Sequence, residues 1–211
     1  MTAMTVSPDH LVTSMDALER LYDEPFGPSL VKETDRITGP YRAFIEAAPF
    51  FALASGGPDG FDCSPRGDAP GFVRVADEKT LLIPDRRGNN RIDTLRNIIH
   101  DPRVSLLFLI PGIGTTVRIN GRAEITTDAE LCASFAMQGK APRSVLVVTA
   151  ERVYFQCPKA LVRSRLWSKE AQISPSDVPS TGEILQAITK GGIDGEAYDQ
   201  AYPQRLKETM Y

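Results

Sequence analysis

A mainly β fold, an antiparallel β-barrel, closed or split, with peripheral helices, is what this sequence predicts. Two observations predict it: about seven short apolar runs separated by close-spaced turn signals, and helical periodicity confined to the chain ends and a few connections. Strands joined by short connections leave exposed sheet edges, and a barrel with covering helices disposes of them.

The elements follow in order. Leu11 to Tyr22 sets Leu11, Met15, Leu18 and Tyr22 at helical spacing, and Pro25 and Pro28 stop that helix. A second helix starts near Pro40, a residue suited to a first turn, and carries Tyr41, Phe44, Ile45 and Ala48 on one face up to Pro49. Phe50 to Ala54 reads as a buried strand, Gly56 to Gly60 as a hairpin turn, and Phe61 to Arg66 as the return strand. Phe72 to Val75 and Thr80 to Ile83 flank Asp77-Glu78-Lys79 as a second hairpin. Asp93 to His100 is a short helix ended by Asp101-Pro102, because a residue before proline is pushed out of the helical region.

Val104 to Ile110, nearly all apolar and bracketed by prolines, is a core strand. Thr115 to Ile125 alternates as a strand that bends at Gly121. Asp128 to Gln138 is helical, Ser144 to Ala150 and Arg152 to Gln156 are two further strands, and Lys159 to Leu166 is a short helix or turn. From Thr181 the tail carries Ile184, Leu185, Ala187 and Ile188 in helical register, then Gly191-Gly192, then a weaker helix over Glu196 to Leu206.

With 211 residues, 42% of them hydrophobic, the chain can build one sizeable core, read here as one domain with terminal helices. A net charge of −3 leaves no global positive field for nucleic acid or an acidic membrane surface. Neither a spanning apolar run nor a secretory signal is present, so a cytoplasmic protein is expected, with no nucleic-acid or membrane partner. Three cysteines, Cys63, Cys132 and Cys157, without C-x-x-C spacing argue against a disulfide framework or a zinc knuckle; they read as buried reduced thiols, and no metal site is expected. The two histidines, His10 and His100, lie far apart and no G-x-S-x-G occurs, which disfavours triad hydrolases.

The stretch from Ser64 to Phe108 concentrates the chemistry. Arg86, Arg87, Asn89, Asn90 and Arg91 stand directly before the helix that begins near Asp93. Arginine forks and the free N–H groups of a helix start suit phosphate oxygens. The same residues also read as a solvated, charged hairpin tip. Neither G-x-x-x-x-G-K-[ST] nor G-x-G-x-x-G is present, so a P-loop or Rossmann site is disfavoured.

The order Ser64-Pro65-Arg66, Phe72 to Val75, Thr80-Leu81-Leu82-Ile83, Asn89-Asn90-Arg91-x-x-x-Leu95, Asp101-Pro102-Arg103-Val104-Ser105-Leu106-Leu107-Phe108 and Asn120-Gly121-Arg122-Ala123 resembles the pyridoxamine 5'-phosphate oxidase-like FMN-binding split-barrel family. The resemblance covers about residues 40 to 167 and is greatest to a bacterial subgroup of FMN-dependent enzymes, which shares Pro158-Lys159-Ala160 and Arg163-Ser164-Arg165-Leu166-Trp167. It implies an N-terminal helical arm over 1–39, an FMN-binding split-barrel domain over 40–170 and a helical tail over 171–211 packed on the barrel.

Carried over by position, the resemblance sets Asn90 and Arg91 where the family holds the FMN phosphate, with Asn89 beside them and Arg86 as a further donor. One basic residue of that pair is asparagine here, so the phosphate leans on Arg91, Arg86 or Arg66. Ser64, Arg66, Gly67 and Asp68 lie on or beside the strand that faces the flavin in this family. A surface strand charge is the other reading of Arg66. Thr116 aligns with a flavin-bonding strand position, and Arg118, two residues on, shares its face and would tune the ring. Arg165 and Trp167 resemble a late pair that reaches the flavin of the other subunit; Trp167 also reads as a simple interface residue.

The implied protein is a homodimer with FMN at the subunit interface, an oxidoreductase acting on a small organic substrate whose catalytic side chains are unassigned. Nothing between Arg165 and Tyr211 supplies the Arg-x-His element that grips the vitamin phosphate in the true oxidases, so that activity is not expected. A non-catalytic flavin-binding or sensing protein is the alternative. A deazaflavin-using reductase is another, whereas scarce histidine disfavours haem.

Overall fold

The computed structural model describes residues 6–211, which form two compact units, one ending at Glu33 and one spanning Thr34–Tyr211. In the first, the apolar periodicity over Leu11 to Tyr22 yields only a short helix α1, Met15–Glu19, started by the Ser14 hydroxyl accepting from the Ala17 N–H. Leu11, Met15, Leu18 and Tyr22 are all exposed. An isolated helix this short gains little without a packed face. Pro28 does not stop a helix but opens one, α2, Gly27–Val31, where its missing N–H costs nothing.

The second unit begins with α3, Gly39–Ala47, whose Ile45 is fully buried. Seven strands follow: β1 (Phe50–Gly57), β2 (Gly60–Gly67), β3 (Arg74–Val75), β4 (Thr80–Pro84), β5 (Arg103–Leu109), β6 (Thr116–Thr126) and β7 (Val145–Gln156). Helix α4, Asp93–His100, lies between β4 and β5, and α5, Ala129–Ser134, between β6 and β7. After β7 come α6 (Lys159–Ser164), α7 (Thr181–Ile188) and α8 (Gly195–Thr209).

The strands make one antiparallel sheet in the order β2-β1-β5-β6-β7-β4-β3. The closed form of the expected barrel is therefore corrected: β2 and β3 remain edges and do not pair with each other. The sheet nevertheless curls. Phe51 of β1 stacks on Phe72, just ahead of β3 at the far end of the order, at 5.8 Å between centroids, and meets Phe108 of β5 at 4.9 Å. Aromatic pairs of this kind add about 0.5–1.5 kcal/mol beyond area burial. Around them Leu53, Leu81, Ile83, Leu106, Ile119, Leu146 and Val153 are essentially inaccessible, the alternate residues of their strands pointing to one core.

Two strands expected over 144–150 and 152–156 are one continuous β7. Its register against β6 shifts between Asn120 and Gly121, leaving Glu151 unpaired in a bulge. Gly121 stands at that register shift, and a Cβ there would lie 2.1 Å from the Thr149 carbonyl oxygen. Of the cysteines only Cys132 is buried. Cys63 and Cys157 are exposed, correcting the reading of all three as core thiols: Cys63 falls on the outward alternation of edge strand β2, and Cys157 just beyond β7.

Candidate functional site

Strand β2 alternates, and the register Phe51↔Arg66, Leu53↔Ser64, Ser55↔Asp62 puts three polar side chains on its core face. At an edge strand they meet α4 instead of apolar neighbours. Ser64 Oγ donates to the Asp62 carboxylate at 2.9 and 3.0 Å, Thr94 Oγ1 donates to Asp62 Oδ2, and Arg66 Nη2 donates to Thr94 Oγ1 at 3.1 Å. Thr94 is 2% exposed. Arg66 Nη1 also reaches its neighbour's carbonyl, Pro65 O, at 3.0 Å. A guanidinium has five N–H donors, so about three remain for another partner.

One turn of α4 away, Asn97 Nδ2 donates to Ser55 Oγ at 3.2 Å, pinning the helix to β1. Gly57 permits this approach, since a Cβ there would fall 2.3 Å from Asn97 Oδ1.

The turn after β4 delivers the other candidates. Asp85 follows Pro84; burial raises its carboxyl above the usual range, opposed by the charges of Arg66 and Arg143. Asn89 Oδ1 accepts from the Arg91 N–H at 3.0 Å, and Arg91, largely exposed, donates to Asp93 at 2.8 Å. Asn90 and Ile92 have φ of 61° and 55°. Asparagine tolerates that region, but a β-branched isoleucine there costs roughly 1–3 kcal/mol, strain of a kind found at functional turns. Ile92 is the residue preceding α4, and no side chain caps that helix.

Arg86 and Asp68 form a separate unit. Arg86 Nε donates to Asp68 Oδ2 at 2.8 Å and Nη1 to Phe135 O at 2.7 Å, with the two side chains 17% and 3% exposed. Burial pushes the Asp68 carboxyl up, but the Ala69 N–H, the Tyr211 hydroxyl and Arg86 outweigh it and hold it below its ordinary value. Beside this pair a pocket of about 160 Å³ is lined by Asp68, Phe72, Arg74, Arg86, Phe135 and Met137. Ligand pockets usually run to roughly 300–1,000 Å³, so this one is smaller than a usual ligand site. Gly67 ends β2 between this unit and Arg66.

Thr116 and Arg118 lie elsewhere. Arg118 pairs with Leu107, Leu107 with Ala52 and Ala52 with Pro65, so Arg118 is on the face opposite to Ser64 and Arg66. It donates to Tyr154 Oη at 3.2 Å, and the Gln156 side-chain oxygen accepts from it at 2.8 Å once the amide is oriented to satisfy both groups. Thr116 begins β6 on the same alternation and is buried. Arg165 ends α6 with φ of 50°, and Trp167 Nε1 donates to Ile113 O at 2.9 Å, just before β6.

One chain thus gathers Ser64, Arg66 and the turn with Asn89, Asn90 and Arg91 around the start of α4, and leaves Thr116, Arg118 and Trp167 as a second group. Asp62, Thr94 and Asp85 were missed by sequence reasoning. The i, i+2, i+4 run of Asp62, Ser64 and Arg66 was the available signal. Among the described residues no group of three His, Cys, Asp or Glu side chains converges to hold a metal. Among them, too, no helix is long and apolar enough to cross a membrane.

The architecture is thus a curled antiparallel sheet with a basic turn ahead of α4. The chain belongs to the pyridoxamine 5'-phosphate oxidase family, whose sequence profile matches residues 37–157. Crystal structures similar to it include HupZ of Group A Streptococcus, at 21% identity over 56% of this chain and 91% of that one, with a TM-score of 0.45. General stress protein 26 of Bacillus anthracis is similar at 15% identity over 54% and 88%, TM-score 0.41. An FMN-binding protein of Syntrophomonas wolfei is similar at 12% identity over 54% and 82%, TM-score 0.42. No curated protein matches the chain.

Proposed function

We propose that this protein is an FMN-dependent oxidoreductase acting on a small organic substrate, a split barrel that works in the cytoplasm as a homodimer with flavin at the subunit seam. The observation that carries the reading is Arg66, held by Thr94 at the start of α4 with donors to spare, in a chain of this family. Arg91, the asparagines and the uncapped helix start complete a donor set that fits a phosphomonoester. Bound FMN supplies two-electron chemistry, and the protein supplies position, charge and exclusion of water. Arg118 would set positive charge against the ring, steadied by Tyr154 and Gln156.

The dimer is supported by the division of the candidates into two groups on opposite sheet faces. It is supported too by the apolar outer row of Ala52, Leu107 and Leu109, only half-buried in one chain, with Phe50 39% exposed beside it. Absent the Arg-x-His element, vitamin B6 is not the expected substrate.

The test is direct. Purified protein should show a flavin absorption band, or gain one and thermal stability with added FMN, and should then be bleached by at least one organic or nicotinamide donor. Colourless protein indifferent to FMN refutes the proposal; uptake without any productive donor favours a flavin-binding or sensing role.

A further inference from the structure

Among the candidate cations of the described residues, Arg66 is the one whose orientation depends on a relay through two elements. Its Nη2 donates to Thr94 Oγ1, and that hydroxyl spends its own proton on Asp62, which also accepts from Ser64. A threonine hydroxyl has one proton and two lone pairs, so donating to a carboxylate leaves it an acceptor and polarises it toward the guanidinium. Arg86 is oriented without such a relay, directly by Asp68 and the Phe135 carbonyl, and it lines a separate small pocket. Arg91 is exposed and held only by the neighbouring Asp93.

We propose that Asp62 and Thr94 are positioning residues that aim Arg66 at the phosphate of the bound cofactor, an inference that rests on the flavin reading above. Neither touches the ligand. Asp62 fixes the rotor of Thr94, and Thr94 fixes the fork of Arg66. The relay leaves about three N–H donors of the fork for an anion, so a doubly charged phosphomonoester gains more from a held fork than a neutral alcohol does.

The experiment compares FMN with riboflavin, which differ in the phosphate alone, by fluorescence titration of the dimeric protein. Thr94→Val keeps the volume and breaks the relay, whereas Thr94→Ser restores it. Thr94→Val should cut the preference for FMN over riboflavin by about three- to tenfold, the worth of one hydrogen bond, with Thr94→Ser near wild type and Asp62→Asn between them. Loss of affinity for both ligands in equal measure, or for neither, overturns the proposal, because a purely structural Thr94 would not distinguish them. If the wild-type protein binds no FMN, the proposed function falls and this inference with it; if it does, and Thr94→Val keeps its preference, the inference alone falls.

Discussion

Arg86→Leu is the substitution whose cost follows most directly from the geometry. It removes the guanidinium from a carboxylate that is 3% exposed and leaves Asp68 with only the Ala69 N–H and the Tyr211 hydroxyl. Breaking one partner of a buried pair commonly costs about 3–5 kcal/mol. Protonation sets a ceiling: taking up a proton at pH 7 from the ordinary value of 3.8 spans roughly 3.2 pH units, or about 4.4 kcal/mol at 1.36 kcal/mol each. We expect a loss of about 3–4 kcal/mol at pH 7, far above the roughly 0–1 kcal/mol typical of exposed surface pairs.

The sign with pH is fixed as well. In the wild type the Asp68 carboxyl titrates below its ordinary value, so its stabilisation is complete above about pH 3.8 and fades as pH falls through the folded value. Loss of Arg86 removes two of the influences that hold the carboxyl down, so it titrates higher in the variant than in the wild type, and the gap between the two proteins narrows as the pH is lowered from 7 toward 4. Urea unfolding at both values, with unchanged m, measures it. A cost under about 1 kcal/mol at pH 7, or one that does not narrow by pH 4, refutes the buried-pair account.

Gly121→Ala should destabilise by about 2–3 kcal/mol in the same assay, because the obstructing atoms are the Thr149 and Ala150 backbone at the bulge; a neutral effect would mean that the bulge relaxes freely. Trp167, the single tryptophan, should lose most of its emission on FMN binding if a second copy brings it near the flavin. Unchanged emission at saturation would remove Arg165 and Trp167 from the cofactor site.

The core strands were legible because their patterns are local. Phe50 to Ala54 and Val104 to Ile110 are apolar runs bounded by proline or glycine, and the glycine at 121 marks the place where the pairing becomes irregular. Strand β7 was harder to read, since Glu151 and Arg152 interrupt its apolar alternation at the bulge that gives the strand its continuity. The site was half legible. Arginines before a helix mark a candidate anion site, but Asp62 and Thr94 are 32 residues apart and carry no short-range signature. Nor does a sequence say that Arg86 is consumed by Asp68, because that contact needs the ends of β2 and β4 to meet.

Strand β7 has a kinetic consequence. It joins β4 on one edge and β6 on the other, with Thr80 paired to Thr149, whereas β1–β2 and β5–β6 are neighbours in the chain. Loop-closure entropy makes such distant pairings late and slow. The basic turn after β4 is thus expected to reach its native place late, with the docking of the last strand. Any ligand that needs both Arg66 and that turn would meet no partly folded competitor, and its binding would lengthen the lifetime of the native state without speeding the route to it.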